Sequence, residues 1–518
     1  TMDWKKLQNG SDIRGVAIEG VEGEAVNLSA ETAYIIGKAF VEWLRRRNTG
    51  RLSVAVGMDS RISGPMLSDA IIKGICESGA DAVRCGLAST PAMFMITIDS
   101  ERPCSAGIMI TASHLPYNRN GFKFFTPEGG LEKADISEIL AIAEGLDSSC
   151  SSYCDSEGGS ISSSDFSSQH CAGSAQTAVG TVSSRDYMSE YSAILVNYIR
   201  RGADAEKPLE GMKIVVDAGN GAGGFFATDV LRPLGADISA SQFLEPDGMF
   251  PNHVPNPENA EAMDSICSAV VRSGADLGII FDTDVDRSAI VDRQGSPINR
   301  NSLIALISDI ILREHPGSTI VTDSITSVGL AEFIAVRGGI HHRFKRGYKN
   351  VINESKRLNS VGQESWIAIE TSGHCALREN HYLDDGAFLV AKLLLEAAKL
   401  ARQGSELGSL IADLRQPLED KEIRFKITED DFASYGREVL EFVRREASNI
   451  AGWSLEEPNY EGVRVNCSAP EENGWFLLRL SLHDPVLPLN IESDVQGGVA
   501  IIEQRLRALL KPVAGGLI

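Results

Sequence analysis

Three aspartates alternate along one short segment, ADLGIIFDTDVDRSAI, in which Asp282, Asp284 and Asp286 directly follow an apolar run typical of a buried strand. Carboxylates this close repel one another unless a cation lies among them, and carboxylate oxygens are the ligands that Mg²⁺ prefers. An EF-hand is excluded because its loop needs Gly at the sixth position and Glu at the twelfth, where this chain has Arg287 and Arg293. The segment therefore predicts a magnesium site.

Two other interpretations apply to the same segment. One is a solvated acidic turn. It is disfavoured because three acids directly after a buried strand would repel one another without a cation. The other is a phosphatase of the haloacid-dehalogenase type with Asp282 as its nucleophile. Such an enzyme would carry Thr or Val where Asp286 stands.

A second segment, IMITASHLPYNRNGFKFF, places Ser113 and His114 after another apolar run, with Lys123 beyond an Asn-rich turn. A serine at such a position is commonly a cap or turn hydroxyl. The acidic metal loop elsewhere in the chain shifts the balance towards a chemical role for this serine.

Two further loops carry alternating polar residues. In AIETSGHCALREN, Glu370, Ser372 and His374 would point to one side of an extended segment, where they could bind sugar hydroxyls and move protons. The alternative is an ordinary polar loop. In RLSLHDP, the alternating residues offer donors suited to a phosphate, with an exposed edge strand as the alternative; they are Arg479, Ser481 and His483.

The elements that must position these loops follow a repeated order of apolar strand, polar or Gly-rich loop, helix and second strand. It occurs in residues 52–86, 212–243 and 318–344, and each copy is long enough for a right-handed βαβ crossover. Parallel sheets place ligands at the carboxyl ends of their strands, which is where the repeat's own loops, GMDSRISG, DAGNGAGG and TDSITS, would lie. The last hundred residues differ: GWFLLRLSLHDPVLPLNIES predicts strands around a turn and GGVAIIEQRLRALLKP predicts a helix.

We expect an α/β fold with three related α/β domains of mixed, largely parallel sheets and a C-terminal α+β domain around a central cleft. The predicted domains are residues 1–190, 191–296, 297–413 and 414–518, and a Ser-rich insertion is expected at about 146–185. Within it, the spacing fits no standard zinc template, so a metal site there is disfavoured; its candidate ligands are Cys150, Cys154, His170 and Cys171.

Composition restricts the partners. A formal charge of -22 argues against nucleic acid and against anionic membrane surfaces, so a phosphate-bearing ligand must be held by local cations. No apolar run approaches the length that spans a bilayer. Nine cysteines without CxxC pairs are typical of a reducing compartment. We expect a soluble intracellular protein of the cytoplasm, or of the plastid stroma if a transit peptide was removed.

Together and in this order, the loops resemble those of the α-D-phosphohexomutase superfamily, which includes phosphoglucomutase, phosphomannomutase and phosphoglucosamine mutase. TASHLPYNRNGFK is similar to the family's phosphoserine loop, DTDVDR to its Mg²⁺ loop and ETSGH to its sugar loop. The segments SDIRG and PDGMFPNHVPNPEN also match. The last loop of the family usually reads Arg-x-Ser-Asn/Gly-Thr-Glu-Pro, whereas this chain has Leu482, His483 and Asp484 in its middle.

The resemblance implies that Ser113 carries a phosphoryl group and, with the three aspartates, holds one Mg²⁺ per chain. It assigns positioning of the transferring phosphate to Arg14 and His114, and proton transfer to Lys123 and His374. The implied substrate-binding residues are Arg287, Glu370, Ser372, Arg479, Ser481 and His483. The implied activator is a hexose 1,6-bisphosphate.

The implied activity is interconversion of hexose 1-phosphate and hexose 6-phosphate, with glucose as the expected sugar, in a monomer or homodimer. Two alternatives stay open. A glucose 1,6-bisphosphate synthase, which uses a bisphosphate donor, is suggested by the altered last loop. A catalytically silent regulatory paralogue is the other, and the intact serine and aspartates argue against it.

Overall fold

The structure is a computed structural model that describes residues 2–154 and 178–518. Two compact units are present, Thr1–Ile298 with Leu383–Ser405, and Asn299–Tyr382 with Glu406–Ile518. Each unit contains two of the four sheets that the described residues form. Within residues 2–154 and 178–518, no helix is long and apolar enough to cross a membrane.

The first sheet has the strand order β1-β2-β6-β5-β3-β4-β8, with β7 paired to β6. Its strands are β1 (Gln8–Asn9), β2 (Asp12–Val16), β3 (Ser53–Met58), β4 (Asp81–Leu87), β5 (Ala106–Ile110), β6 (Arg119–Thr126), β7 (Gly129–Gly130) and β8 (Val182–Ser184). Its helices are α1 (Ala30–Arg45), α2 (Gly64–Glu77), α3 (Thr90–Met95) and α4 (Lys133–Cys154), followed by α5 (Tyr187–Ala203). Strand β3 lies parallel to β4 and β5, whereas β6 runs antiparallel to β5 and β2.

The second sheet, in the same unit, has the order β12-β11-β10-β9. Its strands are β9 (Ile214–Asp217), β10 (Leu277–Phe281), β11 (Ser288–Val291) and β12 (Pro297–Ile298). Helix α6 (Ala260–Ser273) begins at Asn259, whose side chain accepts from the Ala262 amide and so caps the helix. Strands β9 and β10 are parallel, so their carboxyl ends meet at one sheet edge.

In the second unit, the third sheet contains β14-β13-β15-β16 in that order. Its strands are β13 (Thr319–Thr322), β14 (Ile340–Arg343), β15 (Ser365–Ile369) and β16 (Cys375–Leu377), with helices α7 (Arg300–Glu314), α8 (Val328–Val336) and α9 (Tyr348–Ser360). The chain then returns to the first unit for β17 (Leu383–Asp384) and α10 (Gly386–Arg402).

The fourth sheet is antiparallel, in the order β18-β22-β21-β20-β19. Its strands are β18 (Glu419–Lys426), β19 (Trp453–Leu455), β20 (Val463–Cys467), β21 (Gly474–Leu478) and β22 (Val486–Ser493), and helices α11 (Phe432–Glu446) and α12 (Gly498–Leu510) accompany them. Short 3-10 helices lie at Trp4–Leu7, Ile96–Ile98, Arg378–Asn380, Leu407–Ile411, Ala447–Asn449 and Lys511–Gly516.

The predicted fold class is confirmed: α/β domains with mixed sheets precede a β-rich C-terminal domain. The crossovers β3-α2-β4 and β13-α8-β14 are parallel as expected. The middle copy differs, because a short π-helix at Phe226–Leu231 replaces the expected helix and isolated parallel bridges replace the second strand. Of the predicted insertion, helix α4 reaches Cys154 and β8 pairs with β4, while His170 and Cys171 lie outside the described residues.

Candidate active site

The loop after β5 holds Ser113 in a strained backbone conformation. Ser113 is 4 % exposed and has a φ of 51°, in the left-handed region that non-glycine residues seldom adopt. Its amide donates to Thr111 Oγ1 at 3.0 Å, and that hydroxyl donates to Asp59 Oδ2 at 2.6 Å. Such strain persists only where the surroundings hold the backbone, so these bonds fix the direction of the serine side chain.

Arg61 stabilises the same loop through its backbone carbonyls. It follows β3, the parallel neighbour of β5, and its side chain is fully buried. Its guanidinium donates to four carbonyl oxygens of the loop, those of Ser113, Leu115, Pro116 and Arg119. Sequence reasoning missed this role, although the segment GMDSRISG at a strand end was a usable signal.

The three aspartates lie directly after β10 and are all buried. Their candidate ligand oxygens lie within 4.8 Å of one another, as the alternating pattern predicts. Asp284 Oδ2 accepts from Thr90 Oγ1 at 2.5 Å, while Asp284 Oδ1 is buried and finds no hydrogen-bond donor in the described part of the chain. A buried carboxylate oxygen without a donor costs free energy that a hard cation would recover, so the residues fit Mg²⁺.

The charges of this cluster are incompletely balanced. Burial, followed by repulsion from Asp286, raises the pKa of both Asp282 and Asp284 above its usual range. Lys123 Nζ lies 3.1 Å from Asp286 Oδ2, and Arg287 Nε lies 3.0 Å from Asp282 Oδ2. These cations offset part of the negative charge.

Ser113 Oγ lies at the edge of the acidic cluster. It is 3.4 Å from Asp282 Oδ2 and 3.3 Å from Arg287 Nη2. The same Nη2 lies 2.8 Å from His114 Nδ1. A guanidinium only donates, so this nitrogen of His114 accepts and the imidazole proton resides on Nε2. The hydroxyl therefore faces a carboxylate on one side and a cation on the other.

Lys123 and Arg14 lie on neighbouring antiparallel strands, β6 and β2. Asp12 links them, since its Oδ2 accepts from Arg14 Nη2 at 3.1 Å and lies 3.8 Å from Lys123 Nζ. Arg14 Nε is buried and has no hydrogen-bond acceptor in the described chain. An unused cationic donor at this position can bind an anionic oxygen.

In the second unit, a tight turn joins β15 to β16 and carries Glu370, Ser372 and His374. The Glu370 amide donates to the His374 carbonyl at 2.9 Å and the Gly373 amide donates to the Glu370 carbonyl at 3.0 Å. The expected extended segment is therefore wrong: a hairpin turn, and not the pleat of a strand, sets the side-chain directions. Asp323 holds this turn by accepting from the amide and the hydroxyl of Thr371 at 3.0 and 2.7 Å.

Glu370 is buried, and its Oε2 accepts from the Gly347 amide at the start of α9, 2.8 Å away. Burial first, and then the charge of Asp323, raise the pKa of Glu370 to about 7. Ser372 Oγ is buried and makes no hydrogen bond within the described residues. A carboxylate that ionises near neutrality beside an unused hydroxyl can bind adjacent hydroxyl groups of a sugar.

The RLSLHDP segment connects β21 to β22. The Arg479 and Ser481 amides continue the ladder by donating to the Pro488 and Val486 carbonyls at 3.1 and 3.0 Å. The edge-strand alternative is wrong, since β21 lies between β20 and β22. His483 lies in the bend beyond the ladder and is exposed, so the alternating fork does not extend to it.

Arg479 is the strongest anion-binding candidate of this loop. Its Nε is buried and finds no acceptor in the described part of the chain. Burial, and then the neighbouring charge of Arg346, lower its pKa. Two guanidinium groups that interact in this way favour an anion between or beside them.

Comparison with known proteins agrees with this geometry. Family models described as phosphoglucomutase/phosphomannomutase α/β/α domains I, II and III match residues 5–149, 186–295 and 299–418. The phosphomannomutase/phosphoglucomutase of Pseudomonas putida is 31% identical over 504 residues, covering 96% of this chain and 95% of that protein. The chain belongs to the phosphoglucomutase/phosphomannomutase family, within the α-D-phosphohexomutase superfamily.

Other relatives extend the comparison. The phosphoglucomutase/phosphomannomutase of Thermococcus kodakarensis is 30% identical, covering 97% of this chain and 99% of that protein. A crystal structure of a phosphoglucomutase/phosphomannomutase family protein from Burkholderia thailandensis superposes with a TM-score of 0.76 at 25% identity, covering 100% of this chain and 99% of that one. This family member is therefore a mutase enzyme of the phosphohexomutase type, and the haloacid-dehalogenase interpretation is wrong.

Proposed function

We propose that this mutase interconverts hexose 1-phosphate and hexose 6-phosphate, with glucose as the first candidate, through phospho-Ser113 and a hexose 1,6-bisphosphate. The observation that carries the proposal is the environment of Ser113. Its hydroxyl lies in a strained, braced loop, against a three-carboxylate cluster and the Arg287 guanidinium.

Phosphoryl transfer from Ser113 to a substrate hydroxyl breaks the Ser Oγ–P bond and forms a new O–P bond, while the hydroxyl loses its proton. Arg287, His114 and Arg14 stabilise the negative charge of the transferring group. A Mg²⁺ ion held by Asp282, Asp284, Asp286 and phospho-Ser113 would neutralise further charge on the phosphoryl oxygens.

Lys123 and His374 are the candidates for proton transfer. As an ammonium held by Asp286 and Asp12, Lys123 is suited to give a proton to a departing oxygen. His374 stacks against Tyr348 with ring centroids 5.2 Å apart, which fixes the plane of the imidazole. In the first half-reaction the substrate hydroxyl loses a proton and Ser113 Oγ gains one. In the second, Ser113 Oγ loses its proton as it takes back a phosphoryl group, and the departing substrate oxygen gains one.

The second unit supplies the recognition chemistry. Glu370 and Ser372 accept and donate hydrogen bonds to sugar hydroxyls, and Arg479 with Ser481 binds the phosphate that does not react. The bisphosphate must be bound in two orientations, so that either phosphate returns to Ser113. A site that binds the sugar hydroxyls and one phosphate in either orientation of the bisphosphate allows the monophosphate to be isomerised.

The test is product analysis of the full chain with Mg²⁺. Four sugar phosphates are supplied separately: glucose 1-phosphate, glucose 6-phosphate, mannose 1-phosphate and glucosamine 1-phosphate. Each is incubated under three conditions: without a bisphosphate, with a catalytic amount of glucose 1,6-bisphosphate, and with fructose 1,6-bisphosphate. We expect glucose 1-phosphate and glucose 6-phosphate to interconvert and the bisphosphate to remain catalytic. Stoichiometric release of glucose 1,6-bisphosphate would instead identify a synthase, and no turnover of any sugar phosphate would contradict the proposal.

A further inference from the structure

A buried ion pair lies at the end of β9, outside the set of residues assigned above. His253 Nε2 is 2.9 Å from both carboxylate oxygens of Asp217, and its Nδ1 is 2.8 Å from the Val254 carbonyl oxygen. Both ring nitrogens thus face acceptors, so both donate and the ring is an imidazolium. Burial alone would lower the pKa of His253, but the hydrogen bond and charge of Asp217 outweigh it and raise the pKa. A buried charge pair of this kind needs a structural or functional reason.

The pair lies close to the acidic cluster in the same sheet. Asp217 ends β9 and lies opposite Ile280 of β10, two residues before Asp282. Gln242 Nε2 donates to Asp217 Oδ2 at 2.9 Å, and the Gly219 amide donates to Oδ1 at 2.8 Å. These two hydrogen bonds hold the Asp217 carboxylate in place independently of the histidine.

His253 in turn fixes the turn that follows it. A Cβ added to Gly219, whose φ is 54°, would lie 3.1 Å from His253 Cε1 and 2.9 Å from Pro255 Cβ, so the turn packs directly on this backbone. The Val254 carbonyl that accepts from His253 also accepts from the Asn256 amide at 2.8 Å.

Asn256 connects the turn to Arg287. Its Oδ1 accepts from the Glu258 amide at 2.9 Å and from Arg287 Nη1 at 3.2 Å. The two other guanidinium nitrogens bind Asp282 and, through Nη2, Ser113 Oγ. Asn256 Oδ1 is thus the hydrogen-bond acceptor for Nη1, the nitrogen bound by neither Asp282 nor Ser113, and Glu258 Oε2 lies 3.8 Å from the same nitrogen. The bond to Asn256 therefore restrains the rotation of the guanidinium plane.

We propose that His253, ion-paired to Asp217, is a positioning residue that acts through Asn256 to aim the Arg287 guanidinium at the oxygen of Ser113. The inference rests on the proposed function, because it gives Arg287 its role in phosphoryl transfer. The hydrogen bonds of His253 go to Asp217 and Val254, and not to Ser113 or the three aspartates after β10. Loss of His253 therefore changes the orientation of Arg287 but removes no group that contacts the phosphoryl group.

The test measures the single-turnover rate of Ser113 phosphorylation by saturating glucose 1,6-bisphosphate, together with KM in steady state. His253→Phe keeps a planar ring but removes both donors, and Asp217→Asn keeps the carboxylate's shape but removes its charge. We expect each to slow phosphorylation about 10- to 100-fold with KM changed less than about twofold. The matched control is Trp43→Phe, which removes a partly buried donor to Glu138 in the same unit and should change the rate less than about twofold.

A double-substitution cycle separates positioning from general destabilisation. If His253 acts through Asn256, the variant carrying both His253→Phe and Asn256→Ala should be no more than about twofold slower than Asn256→Ala alone. Independent effects would multiply, and that result would overturn the inference, as would a His253→Phe rate equal to that of the Trp43→Phe control. Should His253→Phe not fold, Asp217→Asn carries the same expectation in the cycle. A wild-type protein that is never phosphorylated would refute the proposed function itself, whereas normal phosphorylation in the His253 variant refutes only this inference.

Discussion

Replacing Asp284 by Asn should stabilise the metal-free protein but reduce the stabilisation that Mg²⁺ gives. Without metal, the three buried carboxylates repel one another, and the ligand oxygens lie within 4.8 Å. Two unit charges at that distance cost about 3 kcal/mol at an effective dielectric constant of about 20. Lys123 offsets part of this cost, so we expect Asp284→Asn to gain about 1–3 kcal/mol in chelator.

With Mg²⁺ the stability advantage of the variant should shrink or disappear. A ligand present at about 100 times its Kd stabilises the wild type by about 2.7 kcal/mol, and the variant has lost one of three anionic ligands. Because the first unit has about 300 residues, 1 kcal/mol shifts its melting temperature by about 1.5 °C, so that of the wild type should rise by about 4 °C on addition of the metal. The variant should gain less than half of that shift.

The assay is scanning calorimetry or fluorescence-monitored melting at pH 8, in excess chelator and in a Mg²⁺ titration. Asp292→Asn is the control, because that carboxylate only accepts backbone amides in the β11–β12 turn. It should leave the Mg²⁺ response unchanged. An Asp284→Asn protein that melts below the wild type in chelator, or that gains as much from Mg²⁺, would refute this account of the acidic cluster.

Three further outcomes are expected. Arg61→Lys should slow Ser113 phosphorylation at least about tenfold and lower the melting temperature, because one ammonium cannot bind four loop carbonyls as the guanidinium does; a rate equal to that of the wild type would argue against the brace. The pKa of Glu370 is raised to about 7, so its carboxylate forms as the pH rises from 6 to 8. KM for the sugar phosphate should therefore fall over that range in the wild type but not in Glu370→Gln. Parallel KM profiles for the two proteins would exclude this carboxylate as the titrating group. His483 is exposed in the bend, so His483→Thr should not change which product dominates. Product analysis should show more isomerised monophosphate than released bisphosphate for both the variant and the wild type. An excess of bisphosphate from either protein would favour a synthase.

The sequence predicted best where chemistry follows directly from an apolar strand. The alternating acids after β10 and the serine after β5 needed only the positions of two strands, and the apolar run before each loop indicated them. It predicted less well where the conformation depends on distant partners. The turn at Glu370 is set by the carboxylate of Asp323, which accepts from Thr371, and by the amide of Gly347, which donates to Glu370; both are more than twenty residues away in the chain.

Residues that act on the backbone were not predicted at all. Arg61 donates to carbonyl oxygens and pairs with Asp59, and His253 binds a carboxylate and a neighbouring carbonyl, so neither belongs to a pattern of alternating polar residues. The middle crossover also differs, because its Gly-rich segment favours turns and a short π-helix over a regular amphipathic helix.

Intact-mass analysis after exposure to glucose 1,6-bisphosphate tests the central claim most directly. The account predicts one added phosphoryl group, assigned to Ser113 by peptide mapping, absent from Ser113→Ala and discharged when a hexose monophosphate is added. Phosphorylation that persists in Ser113→Ala, or a wild-type protein that never gains a phosphoryl group while it still isomerises its substrate, would contradict it.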